Sequence, residues 1–355
     1  MTALLDAFNR QMGWCRQPSP FSARVLERSQ RWLEADKEAH AVLSAVEADP
    51  LAAAVSLRWL AGLHHLALQG LRPWAELWPP AASPATDDAL DAAISVAWQT
   101  QQTALRKALA LPPQTNEVQR SAGLLPGLLH VAAQTALPLA LVEIGASAGL
   151  NLWCDHYRHE HKHAYGTWAW GDPSSALTLR STWVGAAPPA AHLVIARRAA
   201  CDAMPIDLTQ AGEGLRLASF IWADQPERLA RLRTAQTIAA ACMAQSGLRV
   251  QAAQAADFVR HQLQQRTAGQ ALVLMHSVVW QYIARAEQDD IRAQMEAAGR
   301  AATAEAPLAW LRFEPPAPDK AVDLRCHFWP GGVDRLLARC HPHAARIDWL
   351  AGSAI

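Results

Sequence analysis

The periodicity of the chain changes at residue 139. Before it, apolar residues recur at helical spacing. In ARVLERSQRWLEADKEAHAVLSAVEA, Val25, Leu26, Trp32 and Leu33 mark the apolar face, and AAAVSLRWLAGLHHLALQG (52–70) is a second helix ended by Gly70 and Pro73. DALDAAISVAWQTQQTALRKALA follows a proline-rich loop with Thr86 or Asp87 as its cap, and SAGLLPGLLHVAAQT is a further short helix. No strand is expected before residue 139. After it, short apolar runs alternate with helical stretches: ALVEIG (140–145), HLVIAR (192–197), LRVQAA (248–253), ALVLMH (271–276), PLAWLRF (307–313), LRCHFW (324–329) and RIDWL (346–350). Strands separated by helices imply an α/β class, with a largely parallel, doubly wound sheet. Only the ten residues EPPAPDKAVD part PLAWLRF from LRCHFW. That is too short for a helical crossover, so this C-terminal pair is expected to be antiparallel.

Two domains follow: a helical one at 1–135 and an α/β one at 136–355, with an insertion at 151–191 read as a long functional loop. Thirty-two basic residues balance thirty-two acidic ones, which argues against a nucleic-acid or membrane-surface partner. No apolar run approaches the ~20 residues that span a bilayer. The N-terminus lacks a signal-peptide pattern, and the six cysteines form no C-x-x-C pair. The reading is a soluble cytoplasmic protein with reduced thiols and a small-molecule partner. Most of the fifteen tryptophans are expected in cores.

The first expected strand ends in VEIGASAGL. Gly145-Ala146-Ser147-Ala148-Gly149 fits G-x-S-x-G, which would make Ser147 the nucleophile of a serine hydrolase. It also fits the cofactor turn that follows the first strand of a Rossmann-like sheet. A nucleophile elbow follows several earlier strands and an upstream oxyanion loop, and this turn has neither. The cofactor turn is therefore preferred. Gly145 permits the tight turn, small residues through Gly149 permit close backbone approach, and N–H groups there can meet a carboxylate. Glu143 stands at the strand end. Asp202, with Asp207 as runner-up, supplies the acid expected for ribose hydroxyls, at 59 residues from Glu143 rather than the usual ~20.

VEIGASAGLNLWCDHYR, RRAACDAMPIDL, FIWADQPERLARLRTA and VLMHSVVWQYI occur in that order. Together they resemble the bacterial domain-of-unknown-function family 2332, over most of the chain. The C-terminal half of that family looks like class I S-adenosylmethionine-dependent methyltransferases. The resemblance implies a Rossmann-like, methyltransferase-type fold and S-adenosylmethionine as cofactor. It assigns Glu143, Gly145 and Gly149 to the cofactor turn, Asp202 to the ribose and Asp257 to the adenine; Ala146 and Ser147 join the turn as the small residues that let backbone approach a cofactor.

Methyl transfer asks the protein to align acceptor and methyl group, with a base where the acceptor must lose a proton. His276 and Ser277, at a strand's carboxyl end, suit that role, with Tyr282 close behind. Asp155, Tyr157, Arg158, Trp222, Asp224 and Trp280 are candidates for the acceptor pocket. Each has a structural alternative: Asp155 and Arg158 as a helical i, i+3 pair, Asp224 as cap of a helix beginning at Pro226, Trp280 as core. His156, His159, His161 and His163 do not reproduce H-E-x-x-H and read as a solvated loop, with no metal expected. Two alternatives stand beside the methyltransferase: a non-catalytic scaffold for a nucleoside-like ligand, and the Ser147 hydrolase.

Overall fold

The computed structural model describes residues 2–80, 84–317 and 320–351. The chain forms two compact units, Met1–Thr115 with Gln210–Arg233, and Asn116–Thr209 with Thr234–Ile355. Helices α1 (Ala3–Cys15), α2 (Pro20–Ala35), α3 (Lys37–Ser44), α4 (Val55–Leu68), α5 (Trp74–Leu77), α6 (Asp87–Thr100) and α7 (Gln102–Ala110) belong to the first unit. Helix α8 (Ser121–Thr135) belongs to the second, and α9 (Glu213–Ser219) to the first. The boundary falls inside α10 (Pro226–Ser246); α11 (Ala255–Gln264) and α12 (Arg285–Arg300) belong to the second unit.

The helical unit buries an aromatic core. Trp32 stacks on Trp59 at 5.2 Å, Trp98 packs edge-on to Trp32, and Trp74 and Trp78 complete the cluster. Thr86 caps α6, its hydroxyl accepting from Ala89 N at 3.2 Å. The Asp224 carboxylate accepts from Ser19 Oγ and Phe21 N, both at 2.8 Å, and so satisfies the first turn of α2, which Ser19 does not cap itself. Trp222, partly buried, packs on the same core.

The second unit is mixed α/β, built on one eleven-stranded sheet. Its strands are β1 (Leu139–Ile144), β2 (Arg158–His163), β3 (Gly166–Trp170), β4 (Thr178–Val184), β5 (Ile195–Asp202), β6 (Gln251–Ala252), β7 (Ala271–Ser277), β8 (Leu308–Glu314), β9 (Val322–Trp329), β10 (Val333–Cys340) and β11 (Arg346–Trp349). The order is β3-β2-β4-β11-β10-β9-β8-β7-β1-β5-β6, and most neighbours are parallel. The run β6-β5-β1-β7-β8 is parallel throughout. β1 lies in the middle of it with all six residues buried, which is why its sequence is a continuous apolar run. β8, β9, β10 and β11 form an antiparallel meander, so the expected antiparallel C-terminal pair is present. Helix α8 packs beneath β8. A Cβ on Gly123 would meet Phe313 at 2.6 Å and one on Gly127 would meet Leu311 at 2.5 Å.

The insertion differs from the expected loop. After a 3-10 turn (Leu150–His156) it supplies β2, β3 and β4 to one side of the sheet. Its histidines are not all solvated. β2 alternates, which turns His159 and His161 to the interior, both fully buried. His161 stacks on Trp168 at 4.8 Å and lies 5.2 Å from Trp183. Burial holds both imidazoles neutral, pushing His159 down to about 4 and His161 to about 3. LRVQAA also shrinks: only Gln251 and Ala252 pair, with Cys201 and Asp202. Among the described residues no helix is long and apolar enough to cross a membrane.

Candidate functional site

The carboxyl ends of the parallel strands carry two turns that touch. The first follows β1. Gly145, Ser147 and Gly149 all take positive φ, at +64°, +54° and +72°. Ser147 does so despite its side chain, at a strain on the order of 1–3 kcal/mol. A Cβ on Gly145 would lie 2.3 Å from Val279 Cγ2, and one on Gly149 would lie 3.0 Å from Val250 Cγ2. The close approach these glycines permit is therefore to the protein's own side chains.

The turn is tied down from within. Ala146 N donates to Cys201 O (3.0 Å), Ser147 N to Asp202 Oδ2 (2.8 Å), Gly149 N to Ala146 O (2.7 Å) and Leu150 N to Asn116 Oδ1 (3.0 Å). Asp202 Oδ1 accepts from Met204 N at 2.8 Å. Asp202 thus couples the end of β5 to the turn after β1. Glu143 is fully buried and hydrogen-bonded to Asn151, which in turn accepts from Ser121 Oγ at 2.7 Å. Burial, and then the negative charge of Asp202, push its carboxyl up to about 8, so it carries a proton at neutral pH. Cofactor carboxylates are bound at such turns by free N–H groups. Four of the N–H groups here, those of Ala146, Ser147, Gly149 and Leu150, already have acceptors within the protein and in this conformation are not free to meet a cofactor carboxylate. Ser147 Oγ is buried without a hydrogen-bond partner.

The second turn follows β7. His276 is fully buried, and its Nδ1 lies 2.6 Å from Glu314 Oε1 at the end of β8. Register places His276 opposite Arg312, which brings Glu314 alongside the turn. The same carboxylate oxygen accepts from Val279 N (3.0 Å) and Trp280 N (3.3 Å). Between them Val278 is held at φ +52°, a conformation β-branched residues rarely adopt. Trp280 stacks on the imidazole at 5.0 Å, with Trp310 6.0 Å from it. Arg292 lies over Trp280 and Arg312 over Trp310. These side chains, with Asp323 and Arg325, line a cavity of about 130 Å³. His276 Nε2, Glu314 Oε2, Arg312 Nε and Trp310 Nε1 are buried without protein partners.

The remaining candidates lie elsewhere. Ser277 O accepts from Arg120 at 3.2 Å, and Tyr282 is exposed at the end of a 3-10 turn. Asp257 is exposed and paired with Arg260, away from any cavity wall described above. Asp155 pairs with Arg198 rather than Arg158, because the segment is not helical through Arg158. Tyr157 is buried and donates to Leu150 O (2.7 Å); Arg158 donates to Gly171 O (2.8 Å). Those three side chains hold the insertion together. Glu314, Val278 and Trp310 were not indicated by the sequence reading. Glu314 is 38 residues from His276, and only the β7–β8 register joins them.

The chain belongs to the family described as an uncharacterized protein conserved in bacteria (DUF2332), which it matches over residues 5–349. Comparison with curated proteins and with solved structures gives no match.

Proposed function

We propose that this DUF2332 protein is a small-molecule enzyme in which His276, held by Glu314, takes a proton from a polar substrate seated against Trp280 and Trp310. One observation carries the reading: four buried polar atoms without protein partners belong to residues that line one small cavity. Buried polar groups are normally satisfied, and a cluster of exceptions calls for a ligand. With the Nδ1 proton directed at the Glu314 carboxylate, Nε2 is left as the acceptor. Arg312 Nε and Trp310 Nε1 are donors. The set suits a substrate offering one O–H or N–H together with an acceptor oxygen. Glu314 fixes the tautomer and stabilises the imidazolium formed when Nε2 takes the proton.

Trp280 covers the imidazole, so access requires its ring to move. In Trp280→Ala, acylation of His276 by diethyl pyrocarbonate, read by peptide mass mapping, is expected to rise about tenfold, equivalent to relieving about 1.4 kcal/mol of opening cost. A folded variant in which His276 stays unmodified would identify a purely structural histidine and end the proposal.

A second reading is methyl transfer from S-adenosylmethionine in a Rossmann-like, methyltransferase-type unit. It is favoured by the strand order. Numbered along the chain, the parallel run β6-β5-β1-β7-β8 reads 3-2-1-4-5, with a glycine turn after the first strand and an acid ending the second. The bonded amides stand against it, as does the meander that follows β8. Calorimetric titration with the cofactor tests it. Saturable binding weakened in Asp202→Asn supports it; no heat at millimolar cofactor removes it and leaves the His276 reading intact.

A further inference from the structure

A cavity of about 540 Å³ lies along β5 and is lined by Trp153, Arg197, Arg198, Arg249 and the 246–251 segment. No Asp or Glu is among its lining residues. β6 pairs only with Cys201 and Asp202, so no strand covers β5 from Ile195 to Ala200 on that side. Arg197 and Arg198 are adjacent in an extended strand and so point to opposite faces, one on each side of this edge. Their electrostatic states differ. Arg198 is neutralised by Asp155 and stacks over Trp153 at 4.6 Å. Arg197 is held only by neutral groups, Gln262 Oε1 at 2.6 Å and Gln265 Oε1 at 3.1 Å, and its Nη2 is buried without a partner. Arg249 donates only to the Leu248 and Met243 carbonyls.

The geometry points to a binding site for a dianionic small molecule on this edge of β5, bridging Arg197 and Arg249. Two guanidinium charges there have no carboxylate partner, which sets the charge of the ligand at about −2. Donors dominate the wall, so the ligand presents acceptor oxygens. The volume admits a phosphate ester or a short dicarboxylate with its carbon skeleton. Burial lowers Arg197 from its ordinary value, so the charge it retains is held at a cost that an anion offsets. The site is independent of the His276 cavity and of what that cavity does.

The test is calorimetry on the full chain at low salt, with inorganic phosphate in one arm and succinate in the other. Saturable binding of either is expected, and which one binds identifies the chemistry. Affinity should fall about tenfold in Arg249→Gln, an exposed position where folding is not at issue, and similarly in Arg197→Gln. Arg260→Gln, whose guanidinium already pairs with Asp257 and Asp290, serves as the control for lost surface charge. No saturation by either anion, or equal weakening in Arg249→Gln and Arg260→Gln, overturns the proposal.

Discussion

Replacing Glu143 with Gln is expected to turn a peaked pH–stability profile into a plateau on its alkaline side. Glu143 has a folded pKa raised from 4.5 to about 8. Below 4.5 the carboxyl is protonated in both states and the full stability is present. As pH rises toward 8 the unfolded chain releases this proton while the folded protein keeps it. Stability then falls by about 1.4 kcal/mol per pH unit, on the order of 5 kcal/mol in all. His159 and His161 act in the opposite direction. Their folded values are lowered from 6.5 to about 4 and about 3. Their contribution is present above 6.5 and is lost as pH falls through that window, because the unfolded chain binds protons the folded one refuses. Between 4.5 and 6.5 two rising limbs outweigh one falling limb; above 6.5 only Glu143 remains. These three groups therefore place the maximum near pH 6.5. In Glu143→Gln the amide oxygen still accepts from Asn151, the alkaline fall disappears, and the variant is more stable than the parent at pH 8. Urea unfolding followed from pH 4 to 9 checks this. A parent protein whose stability is flat from pH 6.5 to 8 would show that Glu143 is not buried as a neutral acid.

How far the sequence reveals these features depends on where each strand's neighbours lie. β1, β7 and β8 are apolar on both faces or nearly so, and β9 alternates with one apolar face; their runs were legible to within two residues. β2 reads RHEHKH, because histidine fills its interior positions; alternation is present, but in residue types that usually mark solvent. β10 begins with three exposed residues, so its apolar half is too short to stand out. β5 carries two arginines, since one of its edges is not covered by a strand. At the site, His276 was legible as a strand-end histidine. Glu314 was not, because the reading of its strand stopped at Phe313 and the pair exists only through register. The strain at Ser147 and Val278 has no sequence signature, since neither residue type announces a positive φ. The packing roles of Gly145 and Gly149 look, in sequence, the same as a cofactor cradle.

Glu314→Ala is expected to cost the sheet unit about 3–5 kcal/mol, a large share of a typical domain's stability. One carboxylate oxygen serves His276 Nδ1, Val279 N and Trp280 N, and only a small part of this side chain is exposed. Removing it leaves three donors in a region that water reaches poorly, beside a valine held at φ +52° whose own N–H is spent on Phe313 O. With the carboxylate gone, the bond from Val278 N to Phe313 O remains as a restraint on that strained conformation. Glu314→Gln separates the two duties of the residue. Its amide oxygen can still accept from the turn, so the stability loss should be near 1 kcal/mol. It carries no negative charge, however, so the imidazolium formed in the proposed proton transfer loses its counter-ion, and attack by Nε2 on an electrophile is expected to slow. Urea unfolding gives the first quantity, and the rate of diethyl pyrocarbonate acylation of His276, measured in a Trp280→Ala background, gives the second. A loss below 1 kcal/mol in Glu314→Ala would mean the turn is held by other contacts. An acylation rate unchanged in Glu314→Gln would mean the carboxylate is a strut for the turn, with no part in the reactivity of His276.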